Sequence, residues 1–370
     1  MTLHGGEGRP RPALVLPDVT SLRSPQKATA AGSASIEALV AGIEAREPRA
    51  LGRAISLVER GGPEAEALVA RLQARTGRAR LVGVTGPPGA GKSTLVEALA
   101  RREREAGRTV AVLAVDPTSP FSGGALLGDR IRMQSLYTDP GTFIRSMATR
   151  GSLGGLAAAA HDSVDVLDAA GFDLVLVETV GVGQDEVDAA RAVDSVAVVV
   201  VPEMGDDVQV AKAGLLEIAD VFVVNKADRD GADRMVADLR RMLAHAAAAG
   251  GGGEPGARGV GEPAGAWTPP VVAAVASRGD GVEEVAAALE EHRRHLEASG
   301  ALARRRRERL ALRVEQALKA RLLDRSGGRA GLAAAAERAA RDGADPYLVA
   351  DRLLRELVDR SGPEEEDAAP

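Results

Sequence analysis

Gly86-Pro87-Pro88-Gly89-Ala90-Gly91-Lys92-Ser93 follows the apolar run Leu81-Val82-Gly83-Val84 and precedes a helix-like stretch, Thr94-Leu95-Val96-Glu97-Ala98-Leu99. Strand, glycine-rich loop and helix in that order make a cradle for phosphate groups. The N–H groups of Gly89, Ala90, Gly91 and Lys92 are expected to face the phosphates, with the positive end of the helix dipole behind them. Lys92 is expected to reach the β and γ phosphates, and Ser93 to offer its hydroxyl to Mg²⁺. Gly86, Gly89, Ala90, Gly91, Lys92, Ser93 and Thr94 are therefore assigned to nucleotide binding. Only five residues of the chain are lysines (Lys27, Lys92, Lys212, Lys226 and Lys319) among 47 lysines and arginines. A compact ammonium fits inside a closed phosphate loop where a planar guanidinium does not.

Outward from this loop, β-branched runs alternate with helical stretches: Val110 to Val115, Phe143-Ile144, Leu174 to Val177, Val196 to Val201, Val221 to Val224 and Val271 to Val275. That alternation predicts an α/β fold with a mainly parallel sheet flanked by helices. Ligands of such sheets sit beyond the carboxyl ends of the strands, where the chemical motifs of this chain fall. The helical period of Ile36, Leu39, Val40, Ile43, Leu51, Ile55, Val58, Leu68 and Leu72 predicts two or three N-terminal helices. The boundaries read from the sequence are a disordered lead-in 1–32, a helical segment 33–79, a nucleotide-binding domain 80–296 with a flexible insertion 250–265, a C-terminal helical region 297–360 and a disordered tail 361–370. The C-terminal helices, the last opened by Asp345-Pro346, carry a leucine stripe too long for so little chain to enclose. Packing on a second copy would cover it.

Asn225-Lys226-Ala227-Asp228 ends an apolar strand about 130 residues after the phosphate loop. A carboxylate at its fourth position can accept N1–H and N2–H from guanine, and adenine has no such pair of donors, so GTP is expected over ATP. Asn225 braces the loop and Lys226 lies along the base in this reading, while Ser277, in the turn after the last strand, is a further base contact. For the metal, Ser93 is joined by Asp116 at the end of the second strand, Asp129 in Gly128-Asp129-Arg130, and Glu178, which opens Glu178-Thr179-Val180-Gly181. Mg²⁺ takes oxygen ligands and keeps several waters. The Gly181 amide stands where signalling GTPases sense the γ-phosphate with Asp-x-x-Gly.

The chain has 370 residues, no cysteine, a net charge of −6 and 45% hydrophobic residues. Disulfides, thiolate metal sites and cysteine nucleophiles are excluded. The acidic balance speaks against a general nucleic-acid or anionic-membrane binder, and no apolar run approaches the roughly 20 residues of a membrane helix. The Pro- and Gly-rich N-terminus lacks a signal core and leaves only a transit peptide as the alternative to a cytoplasmic protein. Arg304 to Arg307 reads as a solvated helix face, since no aromatics are interleaved with it. The histidines, with no ligand spacing, read as surface or packing residues.

Four further strings closely resemble the MeaB/ArgK/MMAA family of P-loop GTPases: Val115-Asp116-Pro117-Thr118-Ser119-Pro120, Gly124 to Met133, Glu178 to Gln184, and Gly205-Asp206-Asp207-Val208-Gln209 through Lys212-Ala213-Gly214. The resemblance runs from about Ala45 to Leu357. It implies a Mg²⁺-dependent GTPase cycling between GTP and GDP that escorts an adenosylcobalamin-dependent acyl-CoA mutase, usually methylmalonyl-CoA mutase, gating cofactor loading and protecting the mutase from inactivation. It implies a homodimer formed through the C-terminal helical extension, and switch segments at Asp116 to Arg132, Val180 to Glu186 and Glu203 to Glu217. Lys92, Glu178, Gly181 and Lys212 become the catalytic set, Lys212 as the cation of the third switch. Two other readings stand beside it. A P-loop kinase would need a base over a substrate pocket, and a nickel-insertion GTPase would need clustered Cys or His ligands.

Overall fold

The computed structural model describes residues 30–116, 133–148, 155–179, 192–202, 218–248 and 267–359. Three helices come first, α1 (Ala30–Glu44), α2 (Pro48–Arg60) and α3 (Pro63–Leu72). Then strands and helices alternate: β1 (Arg80–Thr85), α4 (Lys92–Glu105), β2 (Val110–Asp116), α5 (Gln134–Tyr137), β3 (Thr142–Ala148), α6 (Gly155–Ala169), β4 (Leu174–Thr179), β5 (Ser195–Val200), β6 (Val221–Val224), α7 (Ala232–Ala248), β7 (Val271–Ala273) and α8 (Val282–Ala298). The chain closes with α9 (Ala301–Arg325), α10 (Gly328–Asp342) and α11 (Pro346–Asp359).

The sheet has seven strands in the order β3-β2-β4-β1-β5-β6-β7, and every strand pair is parallel. Alternate residues of each strand feed opposite cores, as the two-residue period of a strand requires. Ala111, Leu113 and Val115 join Val196, Val198 and Val200 on the face covered by the N-terminal helices and α6. Val110 and Val112 join Ala197 and Val199 on the face covered by α4 and α8. In α2 the buried residues Leu51, Ala54, Ile55 and Val58 fall on one helical stripe, after Pro48 in the first turn. Arg46, in the left-handed region at φ 55°, donates to the carbonyls of Ala170 and Gly171 at the end of α6. A guanidinium there satisfies carbonyls that a helix terminus leaves without partners.

Within the Arg304–Arg307 run, Arg305 and Arg306 do not form the solvated face that the sequence suggests, whereas Arg307 is exposed. Arg305 donates to the carboxylate of Asp220 (3.0 Å) and the carbonyl of Asp194 (2.9 Å). Arg306 and Arg309 bind the Asp194 carboxylate at 3.1 and 3.0 Å, and Arg293 of α8 binds it at 3.0 Å. Asp194 and Asp220 are buried just before β5 and β6, so helix α9 is fastened to the amino ends of two central strands by charge pairs. Buried carboxylates need such partners to offset desolvation. Farther along, Leu318 is 57% exposed, Tyr347 81% and Leu348 68%, the apolar surface that the leucine stripe foretold. Asp345 caps α11, accepting from the N–H of Tyr347 at 2.7 Å.

Candidate active site

β1 delivers the chain to the phosphate loop at the centre of the sheet, with β4 and β5 on either side. Two glycines are required by close approach. A Cβ on Gly86, at φ 144°, would lie 2.1 Å from the carbonyl oxygen of Val199, and one on Gly91, at φ 87°, would lie 2.3 Å from Nδ2 of Asn225. Lys92 is buried, its Nζ donating to the carbonyls of Gly86 (2.8 Å) and Pro87 (2.9 Å). Ala90 donates its N–H to Pro87 at 3.3 Å, a turn bond absent from the expectation that this N–H faces phosphate. Gly89 and Thr94 are exposed beside it.

Ser93, in the first turn of α4, donates from Oγ to Oε1 of Glu178 at 2.5 Å. Val84 is the register partner of Glu178, so pairing of β1 with β4 brings this acid to the loop. The hydroxyls of Thr179 and Thr85 meet at 2.9 Å just beyond, bracing the same two strand ends. Two hard oxygen donors side by side at the root of a phosphate loop are the donor chemistry that Mg²⁺ selects. Asp116 is the last residue of β2, and its side chain lies outside the described part, as do Asp129, Gly181 and Lys212. The proposed switch segments and the 250–265 insertion lie outside it too.

On the other side, Asn225 follows β6 and is buried. Its Nδ2 donates to the carbonyl of Ala90 at 2.8 Å, and its Oδ1 accepts from the N–H of Ala276 at 3.1 Å. One side chain therefore ties the phosphate loop to the turn after β7 that holds Ser277. Lys226 sits at φ 55°, a left-handed conformation that costs a lysine about 1–2 kcal/mol. Such strain clusters where a loop must hold one shape. Asp228 is exposed, with Arg278 3.5 Å away. Arg278, the neighbour of Ser277, belongs to none of the sequence motifs, and its position in that turn is the signal that points to it.

The sequence profile described as methylmalonyl-CoA mutase-associated GTPase MeaB matches residues 51–330. The chain belongs to the MeaB family. A Pyrococcus abyssi protein that bears the name of a GTPase is 46% identical over 326 residues, 87% of this chain and 97% of that protein. The mouse protein named methylmalonic aciduria type A homolog, mitochondrial, is 37% identical over 225 residues, 61% of this chain and 52% of the mouse protein. Among solved structures, one described as a LAO/AO transport system kinase superposes with a TM-score of 0.62 at 25% identity, covering 88% of this chain and 98% of that one. The chain is a P-loop GTPase of this family, with a guanine nucleotide as its ligand.

Proposed function

We propose that this GTPase is the chaperone of an adenosylcobalamin-dependent acyl-CoA mutase, with methylmalonyl-CoA mutase as the client, and that it gates cofactor loading and protects the mutase from inactivation. The observation that carries the reading is the match to a mutase-associated GTPase profile over residues 51–330, which spans both the phosphate loop and the Asn225–Asp228 motif. In this reading Lys92 draws charge from the β and γ phosphates, and Asp228 accepts the two guanine donors. Ser93 and Glu178, with Asp116 and Asp129, would hold Mg²⁺, which when bound neutralises charge on the transferring phosphoryl group. Gly181 would register the γ-phosphate, and Lys212 the nucleotide state of the third switch. The exposed apolar face of α9 to α11 supports a homodimer. No described helix is long and apolar enough to cross a membrane, and the cytoplasm is the compartment we assign.

The kinase alternative draws on the name of the LAO/AO transport system kinase structure alone. Size-exclusion chromatography of the full-length protein with methylmalonyl-CoA mutase tests the reading. A complex whose yield changes between a non-hydrolysable GTP analogue and GDP is the expected result. Separate elution in both nucleotide states would overturn it.

A further inference from the structure

A cavity of about 250 Å³ opens between α6 and α9 at the amino end of β1, the end opposite the phosphate loop. His161 and Asp168 of α6, Arg307 and Arg313 of α9, and the 73–77 linker contribute to its walls. Most of the polar groups here are already engaged. Asp168 accepts the N–H groups of Gly77, Arg78 and Ala79 at 2.5, 3.0 and 2.8 Å. Arg313 holds Asp162 and Asp165, both at 2.6 Å. Arg306 is shared between Asp194 and the carbonyl of Gly77, and Arg309 between Asp194 and the carbonyl of Ala192.

Two groups remain. Arg307 lines the cavity, is exposed, and has no ion pair or hydrogen bond among the described residues. His161 is 6% exposed, lines the same cavity and makes no hydrogen bond there either. Burial, with Arg313 and Arg309 nearby, pulls the imidazole down to about 3, so at neutral pH it is uncharged and has one N–H to give. Asp168 already accepts three N–H groups, and Asp162 and Asp165 share the Arg313 guanidinium, while these donors are left over, and that surplus suits an acceptor with negative charge. Leu81, Ala192 and Leu310 supply aliphatic wall beside the donors.

We propose that this cavity is a second ligand site, distinct from the nucleotide site, for a small organic anion whose carboxylate meets Arg307 and His161 and whose short aliphatic body lies along Leu81, Ala192 and Leu310. A molecule seated there bridges α6 and α9 at the root of the C-terminal helices and adds its binding free energy to their attachment.

Glutarate is the probe. Full-length protein with isotope-labelled histidine, loaded with GDP and Mg²⁺ so that the phosphate loop is filled, is titrated and followed by the ring signals of His161, assigned by their loss in His161→Asn. Saturable movement of those signals is expected. Arg307→Ala, a change at an exposed side chain, is expected to raise the dissociation constant about tenfold, the loss of a charge-assisted hydrogen bond, with GDP affinity unchanged. Unmoved signals at tens of millimolar glutarate, or movement indifferent to Arg307→Ala, would overturn the site. Inorganic phosphate acting as strongly as glutarate would overturn the organic anion and the role of the aliphatic wall.

Discussion

Replacing Asn225 with alanine cuts a side chain that joins the phosphate loop to the turn after β7. Two buried backbone groups lose their partner, the carbonyl of Ala90 and the N–H of Ala276. Ala90 is fully buried and Ala276 is 6% exposed, so water replaces little of what is lost. Each orphaned group costs about 1–3 kcal/mol, and with partial relaxation the variant is expected to lose about 2–5 kcal/mol of stability. Urea unfolding followed by Trp267 fluorescence measures it. Trp267 is the sole tryptophan and lies against His292 and His295, with ring centroids 4.9 and 5.4 Å apart. The midpoint should fall with the slope unchanged. Saturating GDP should widen the gap, because the variant's loop binds nucleotide less tightly. Asn225→Asp, which keeps the acceptor for Ala276 and sets a carboxylate against the Ala90 carbonyl, should cost at least as much. A loss under about 0.5 kcal/mol, the range of an ordinary surface substitution, together with unchanged GDP affinity, would refute the bracing role.

Glu103 is buried among Arg80, Arg102 and Arg108. Burial alone would raise its pKa, and hydrogen bonding and charge from these arginines outweigh that and bring it down to about 2. A depressed carboxylate stabilises the fold above its unfolded value and loses that stabilisation as pH falls toward the folded one. Glu103→Gln should therefore cost about 3 kcal/mol at pH 7, with the gap to the parent closing between about pH 4.5 and 2 in denaturation curves. Asp228→Asn should weaken GTP binding by about 1–3 kcal/mol and favour xanthine nucleotides in a competition titration; an unchanged preference would remove Asp228 from base recognition. Truncation after Gly327, which spares the α9 arginines, should leave a GTP-binding monomer by light scattering, whereas truncation after Glu297 removes the α9 arginines that pair with Asp194 and Asp220 and should lower the thermal midpoint.

Much of the fold was legible because it rests on local patterns. The β-branched runs become the strands of a parallel sheet buried on both faces, and the stripe of Leu51, Ile55 and Val58 becomes the inner face of α2. The phosphate loop was legible because Gly86 and Gly91 answer to close approaches that no other residue permits. The α9 arginines were not, since a run of like charge carries no sign of partners that stand more than 80 positions away. Contact between Ser93 and Glu178 could be expected from motif order, but its geometry depends on the β1–β4 register, which a single sequence does not encode locally. The donors left over around His161 are likewise visible only once α6 and α9 face each other.

The most direct test of the account is phosphate release from GTP by the full-length protein, measured with and without methylmalonyl-CoA mutase and repeated with ATP. The account predicts turnover of GTP that the mutase accelerates several-fold, with ATP left essentially untouched. GTP turnover indifferent to the mutase, or ATP hydrolysed as readily as GTP, would contradict it.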